Sequence, residues 1–309
     1  MVEKLLKVFD YSEILTIPKE NLKKDDIIPY GVLKLGAQHE WKNINSGEDI
    51  KVAILDTGVP EHQDLNNNNI KSENFTDSNT VYDKNGHQTH VAGTVAANGN
   101  IMGVLPSANL FHIKVLNDKG QGQDEWTAKG IEYAIDSNAD VINLSLGGYN
   151  NFPKTHEAIK KATDKNIIVV AAAGNHGKKG VTYPACYDEV IAVAAVNIES
   201  KRANFSAIGE ELEVAAAGYE VLSTWLNGEY KRIQGTSMAC PAITGGVGIL
   251  QAKAKLKYNK KLTLEEIRLL LHMMAKPVNE IGRTKGYGYG VFSFSHYDPE
   301  ELKEQKEQI

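Results

Sequence analysis

Three short segments, far apart in the sequence, carry a carboxylate, an imidazole and a hydroxyl. Asp56 follows the apolar run KVAIL, His87 lies in NGHQTH, and Ser237 lies in QGTSMACP, which opens a long apolar segment. A serine hydroxyl is a weak nucleophile at neutral pH, so it needs a base within hydrogen-bond reach and a carboxylate to orient that base. These residue types predict nucleophilic catalysis if the fold brings them together.

The elements between these segments alternate between strand-like and helix-like patterns. Runs that are apolar on both faces, separated by amphipathic segments, predict a parallel sheet between two layers of helices. In such sheets ligands bind beyond the carboxyl ends of the strands, which is where Asp56 lies. The run of four asparagines at 66–69 is interpreted as a turn. Predicted strands are 51–55, 109–116, 140–147, 166–174 and 189–196; predicted helices are 124–138, 154–165, 235–255 and one opened by a capping box at Thr263 and Glu266.

The composition is that of an ordinary globular protein, with 309 residues, of which 42% are hydrophobic and 24% charged. A net charge of -5 argues against nucleic acid as a partner. Two cysteines exclude a disulfide scaffold and fit a reducing compartment. No apolar run is long enough for a membrane span or a signal peptide, so we expect a cytoplasmic protein that does not bind a membrane. The expected organisation is an N-terminal extension (1–25), one catalytic domain (26–296) and a charged tail (297–309).

The three reactive segments also resemble a known family. DTG at 56–58, HxTHVAGT at 87–94 and GTSMAxP at 235–241 are similar, in the same order, to the signature blocks of the subtilisin-like serine proteases, or subtilases, of peptidase S8 type. The resemblance implies a subtilisin-like three-layer α/β sandwich with a mostly parallel central sheet and helices on both faces. It also implies a serine endopeptidase that acts on proteins or peptides.

The resemblance assigns a role to each reactive residue. Asp56 would orient the imidazole, His87 would act as general base and then as general acid, and Ser237 would attack the peptide carbonyl. Asn175 matches the asparagine that, together with the Ser237 amide, stabilises the oxyanion. One departure stands beside the base, because Gln88 replaces the glycine of the family's usual histidine block.

Substrate contacts are carried over in the same way. Substrate would bind as an extended strand between two segments of the domain, so that backbone hydrogen bonds give broad selectivity. The pocket for the residue before the cut carries no charge, so we expect an apolar side chain there. Asp124 and Glu125 are expected to form an acidic rim that favours basic residues further upstream. The strand-binding residues are Gly120, Gln121, Gly122, Ser145, Leu146 and Gly147, and the pocket residues are Ala172 to Gly174 and Thr182.

Structural calcium is a further implication of the resemblance, because subtilases commonly bind it through oxygen ligands. Asp64 matches one ligand, and Asp26 lies where an N-terminal ligand often falls. The loop with Asn98 and Asn100 looks shorter than in extracellular subtilisins. A second, weaker site would use the carbonyls of Ala185, Tyr187 and Val190.

The N-terminal extension resembles that of the intracellular subtilisins, which lies across the active site and keeps the enzyme inactive. Ile17-Pro18 or the stretch 8–11 would perform this role here, unless the extension is a leader without function. The resemblance also suggests a homodimer.

The sequence leaves three further points open. A subtilase scaffold without activity could serve as a binding or regulatory protein, although all four catalytic residue types are present. His87 and His90 could hold a metal, but His90 is better interpreted as a packed, hydrogen-bonded residue because no further ligand pattern accompanies the pair. Cys186 and Cys240 are interpreted as two free thiols rather than a disulfide.

Overall fold

The computed structural model of this protein describes residues 5–7, 12–24, 27–66, 69–278 and 280–294. These residues form fourteen strands and six α-helices. The strands are β1 (Leu5–Lys7), β2 (Ser12–Ile17), β3 (Lys51–Asp56), β4 (Asn69–Asn74), β5 (Asn109–Lys114), β6 (Gln121–Gln123), β7 (Val141–Leu144), β8 (Ile168–Ala172), β9 (Val190–Val196), β10 (Leu212–Ala217), β11 (Val221–Thr224), β12 (Tyr230–Gln234), β13 (Ala275–Lys276) and β14 (Val291–Phe292). The helices are α1 (Tyr30–Leu35), α2 (His87–Ala96), α3 (Asp124–Asp136), α4 (Pro153–Asp164), α5 (Thr236–Tyr258) and α6 (Leu264–Met274).

A nine-stranded sheet forms the centre of the molecule, in the order β13-β14-β10-β9-β8-β7-β3-β5-β4. Every pair in it is parallel except β13 with β14. Along β3, Val52 and Ile54 join the apolar core shared with α2 and α5, whereas Ala53 and Leu55 join the core shared with α3 and α4. Both faces of the sheet are therefore covered, and the predicted three-layer α/β sandwich is confirmed.

The elements follow the sequence pattern where burial is two-sided. Each predicted strand and helix of the sandwich is present, with ends that shift by a few residues. The capping box forms as predicted, with the Thr263 amide donating to Glu266 Oε2 at 2.9 Å and the Glu266 amide to Thr263 Oγ1 at 3.3 Å. The turn predicted at 66–69 is wrong at Asn69, which begins the edge strand β4; residues 67 and 68 lie outside the described residues.

Two small antiparallel sheets connect the N-terminal extension to the sandwich. β1 pairs with β6, and β2 pairs with β12, which itself pairs with β11. The extension therefore joins two separate parts of the domain. In the described ranges, no helix has both the length and the hydrophobicity needed to cross a membrane.

Candidate active site

The carboxylate and the imidazole meet because a strand end faces a helix start. Asp56 is the last residue of β3 and His87 the first of α2. The two carboxylate oxygens of Asp56 lie 2.8 and 2.9 Å from His87 Nδ1, and the amide of Thr57 donates to Oδ1 at 2.8 Å. Both side chains are fully buried. This pairing places a proton on Nδ1 and leaves Nε2 as the basic atom.

A second carboxylate, which the sequence motifs did not indicate, fixes the start of α2. Asp83 accepts hydrogen bonds from the amides of Asn85, Gly86 and Thr89, and from the hydroxyls of Thr57 and Thr89. The first amides of a helix have no partner inside the helix, so this carboxylate satisfies them. An acidic residue four positions before a helix start was the available signal. Asp83 thus holds His87 against the turn that carries Asp56.

The hydroxyl lies at the amino end of α5. Ser237 is the second residue of that helix, where free amides and the helix dipole favour a developing negative charge. Its Oγ donates to the carbonyl of Ser145 at 3.0 Å, and Ser145 Oγ donates back to the carbonyl of Ser237, also at 3.0 Å. The hydroxyl therefore donates to Ser145, and its proton has to turn toward His87 before it can be transferred there.

Asn175 lies beside the same helix end. Its Oδ1 accepts from the amide of Thr236 at 2.9 Å and from the hydroxyl of Thr236 at 2.8 Å. This arrangement turns Nδ2 toward Gly235, where a Cβ would approach it to 3.0 Å. A side chain at position 235 would therefore press against this amide. A donor next to the nucleophile is what an oxyanion needs.

The two segments expected to bind substrate carry the N-terminal extension between them. In β1, Lys7 pairs with Gln121 and Leu6 with Gly122, and Lys7 exchanges both backbone hydrogen bonds with Gly147 at 3.2 and 3.0 Å. Gly120 forms the turn before β6, and the Leu6 side chain is fully buried in the apolar core that includes Leu146. Ile17, by contrast, pairs with Tyr230 on β12, away from these two segments. The stretch 8–11 lies outside the described residues.

The residues assigned to the side-chain pocket lie together at the carboxyl end of β8. Thr182 donates through its amide and its hydroxyl to the carbonyl of Ala173, next to Ala172. Gly174 has a φ of 114°, and a Cβ there would lie 3.0 Å from Thr182 Oγ1, so this position requires glycine. At the predicted acidic rim, Asp124 accepts from the Lys154 and Thr155 amides, and Glu125 is paired with Lys129 and Lys154; the preference for basic residues stays a prediction.

The first predicted calcium position is filled by hydrogen-bond donors. Asp64 accepts from Asn100 Nδ2 at 3.0 Å, from the Ile101 amide at 3.1 Å and from the Tyr230 hydroxyl at 2.9 Å. Asn98 contributes its amide to the Asp64 carbonyl. A cation needs oxygen lone pairs where this loop presents protons, so these residues do not fit calcium. Asp26 lies outside the described residues.

The second predicted position contains an arginine. Arg268 Nη2 donates to the carbonyls of Asp188 and Val190, and the Tyr187 carbonyl accepts from the Val190 amide. A guanidinium therefore uses the carbonyl that calcium would need. Ala185 is buried beside them. Within the described part of the chain, no three His, Cys, Asp or Glu side chains are grouped so as to hold a metal ion.

His90 and the two cysteines are packed residues whose surroundings do not favour metal binding or reactivity. His90 Nε2 lies 3.0 Å from the carbonyl of Val221 and 3.1 Å from that of Lys231, and burial lowers its pKa to about 3. It is a neutral, packed histidine. Cys186 and Cys240 are free cysteines, and burial raises the pKa of each thiol to about 12, so neither is poised to react.

Comparison with known proteins finds similarity to one family and to several serine proteases. Residues 47–290 match the model of the family described as the subtilase family. The chain is 37% identical to the major intracellular serine protease of Bacillus subtilis, over 96% of this chain and 97% of that protein. It is 39% identical to an intracellular serine protease of Paenibacillus polymyxa, over 88% of each. It is also 42% identical to subtilisin NAT of Bacillus subtilis subsp. natto, over 73% of this chain and 61% of that protein.

Proposed function

Because this chain belongs to the subtilase family of serine proteases, we propose that it is an endopeptidase that cuts peptide bonds through Asp56, His87 and Ser237. The observation that supports this proposal is the buried carboxylate–imidazole pair, in which both oxygens of Asp56 lie within 2.9 Å of His87 Nδ1. A nucleophile on the end of α5 and an amide donor at Asn175 complete the set of groups that acyl transfer requires.

The proposed reaction begins when the Ser237 hydroxyl turns its proton from the Ser145 carbonyl toward His87. As Oγ attacks the substrate carbonyl, its proton moves to His87 Nε2, and Asp56 stabilises the imidazolium. The tetrahedral oxyanion accepts from Asn175 Nδ2 and from the Ser237 amide. Collapse of this intermediate breaks the C–N bond, and the amine leaves with the proton from His87. Water then repeats the sequence on the acyl-enzyme and restores Ser237.

A fluorophosphonate probe tests the proposal, because it phosphonylates only an activated serine. We expect Leu6→Asp to be labelled at Ser237, and wild type more slowly, because β1 lies in the cleft of the wild-type chain. In the Leu6→Asp background, Ser237→Ala should remain unlabelled, and Ser107→Ala, which removes a serine remote from the site, should label like Leu6→Asp alone. Absence of labelling in wild type and in Leu6→Asp, a variant expected to open the cleft, would contradict the proposal. That result would favour a binding or regulatory protein on this scaffold.

We propose that substrates bind as extended chains between residues 120–122 and 145–147. The backbone pairing of Lys7 with Gln121 and Gly147 supports this, since it uses groups that any peptide could engage. The uncharged pocket next to Thr182 supports an apolar residue before the cut. The paired states of Asp124 and Glu125 give no support for a basic preference upstream, which stays a prediction that a peptide panel tests.

We also propose that the N-terminal extension inhibits the enzyme by occupying this cleft. β1 lies between the two substrate-binding segments, and β2 resumes along β12, only a few residues before Ser237. Asp56, His87 and Ser237 have no exposed surface in this structure. Ile17 pairs with Tyr230 on β12, away from the two substrate-binding segments, so the described residues do not support Ile17-Pro18 as the inhibitory segment, and the stretch 8–11 stays a prediction.

The names of two relatives support an intracellular location, which we propose for this chain. Protein or peptide substrates follow from the proposed activity. A homodimer and the absence of nucleic-acid and membrane partners stay predictions. Calcium binding also stays a prediction, and the donors around Asp64 and Arg268 argue against it at the positions that the structure describes.

A further inference from the structure

Gln88, the residue that departs from the family's histidine block, is fully buried and hydrogen-bonded at both ends of its side chain. Its Oε1 accepts from the amide of Gly58 at 2.7 Å, and its Nε2 donates to His112 Nδ1 at 2.8 Å. Its own amide donates to Thr57 Oγ1 at 3.0 Å. Gln88 thus forms hydrogen bonds with Thr57 and Gly58, the two residues of the turn that follows Asp56. It also directly follows His87 in the chain.

The network continues in one direction away from the site. His112 is fully buried and burial lowers its pKa to about 3, so the ring is neutral. Because Nδ1 accepts from Gln88, the ring proton lies on Nε2, which donates to Asn69 Oδ1 at 2.6 Å. Every donor in the series Gly58, Gln88, His112 has an acceptor. A fully satisfied buried network holds its members in one arrangement.

From these contacts we propose that Gln88 is a positioning residue, which fixes the Asp56 carboxylate against His87 through the turn at Thr57 and Gly58. The Thr57 amide donates to Asp56 Oδ1, so the orientation of the carboxylate depends on the orientation of this turn. Gln88 Oε1 holds the turn through the Gly58 amide, and Lys114 Nζ holds it from the other side through the Thr57 carbonyl. This inference rests on the proposed function.

The test replaces Gln88 by methionine, which keeps the length and volume of the side chain and removes its hydrogen bonds. The matched control is Gln251→Met, because Gln251 is equally buried and holds both the amide and the carbonyl of Leu262, remote from the site. Gln251→Met loses two buried hydrogen bonds, and Gln88→Met loses two short ones and a long one of 3.4 Å to the Ile54 carbonyl, so a merely structural role would affect the two variants similarly. All chains are compared in full length, with and without Leu6→Asp.

We expect Gln88→Met to lower kcat on a chromogenic peptide by roughly 10-fold to 100-fold with little change in KM, since a misplaced catalytic group costs about that much. We also expect the acidic limb of its pH–rate profile to move to lower pH, because a poorly held Asp56 stabilises the imidazolium less. Gln251→Met should keep the wild-type kcat and profile once corrected for its folded fraction.

A second variant keeps the inference testable if Gln88→Met does not fold. His112→Leu leaves Gln88 in place but removes the nearer of the two acceptors for its Nε2, and the Ile54 carbonyl at 3.4 Å remains. We expect a loss in kcat of about threefold, the scale of one hydrogen bond. Folded variants with wild-type kcat and an unmoved acidic limb would overturn the inference. Absence of fluorophosphonate labelling in wild type and in Leu6→Asp would instead overturn the proposed function, so the two failures are distinguishable.

Discussion

Two fully buried histidines, His90 and His112, are held neutral by the interior of the protein. Burial is the first cause for each, and it lowers the pKa of both rings to about 3. The carbonyls of Val221 and Lys231 act against this for His90, as weaker contributions. In the unfolded chain the pKa of these rings is about 6.5. The unfolded state therefore binds more protons over the range between these values, and protonation favours unfolding there.

This linkage predicts a loss of stability in mild acid. The contribution is complete above the unfolded value and is lost as the pH falls toward the folded value, at about 1.4 kcal/mol per pH unit for each histidine. We expect the free energy of unfolding, measured in urea, to fall between about pH 6 and about pH 5, and the two histidines together to contribute roughly 2.4 kcal/mol of this fall. His112→Gln should remove about half of this slope, whereas the same change at the exposed His39 should leave it unaltered. Equal slopes for wild type and His112→Gln would show that the buried ring is not responsible.

At the scale of whole elements, the sequence was informative where a segment is buried on both faces. The strand at 51–55 and the helix at 154–165 were predictable because the spacing of their apolar residues fits only one kind of element: a strand buried on both faces and a helix buried on one face. β4 was not, since its residues are mostly exposed and an asparagine run predicts a turn equally well. The order Asp56, His87, Ser237 was readable from motifs, whereas Asp83 and the Gln88–His112 pair depend on contacts between distant segments. Such contacts leave no periodic signal in the chain.

The N-terminal strand β1 gives a prediction that a single side chain can test. Leu6 is fully buried in the apolar core beneath the cleft, whereas Leu256 on α5 is 57% exposed. Leu6→Asp would bury a carboxylate without a partner, which favours release of β1 from β6 and Gly147. We expect this variant to hydrolyse a chromogenic peptide at least about 10-fold faster than wild type, because about 1.4 kcal/mol of lost docking corresponds to that factor.

The control for this prediction is Leu256→Asp, which makes the same chemical change at an exposed site and should leave the rate unchanged. Deletion of residues 1–20 should give the same activation as Leu6→Asp. If both the deletion and Leu6→Asp retain the wild-type rate, the extension does not inhibit the enzyme, and β1 serves only to add a strand to the fold.

At the scale of the whole molecule, the guanidinium of Arg268 occupies a place where the family resemblance implies a calcium ion. Arg268 joins α6 to the start of β9, because it donates to the carbonyls of Asp188 and Val190. Its Nε also lies 3.0 Å from Glu213 Oε2. Glu213, in β10, also bonds to His272 on α6. A guanidinium attached to the chain cannot be removed by a chelator, and its carboxylate partner is almost fully buried. Stability should therefore not depend on free calcium through this site.

We accordingly expect the melting temperature in millimolar calcium and in a chelator to agree within about 2 °C, which corresponds to about 1.3 kcal/mol for a chain of 309 residues. Arg268→Met should lower the melting temperature by about 2–5 °C in both solutions, because charge-assisted hydrogen bonds worth about 1.5–3 kcal/mol are lost. Lys285→Met, at an exposed ion pair with Glu210, should change little. A large stabilisation by calcium that disappears in Asp64→Ala would instead place a cation at the Asp64 loop. The loop would then have to rearrange, because the protons of Asn100, Ile101 and Tyr230 now occupy the carboxylate that a cation would need.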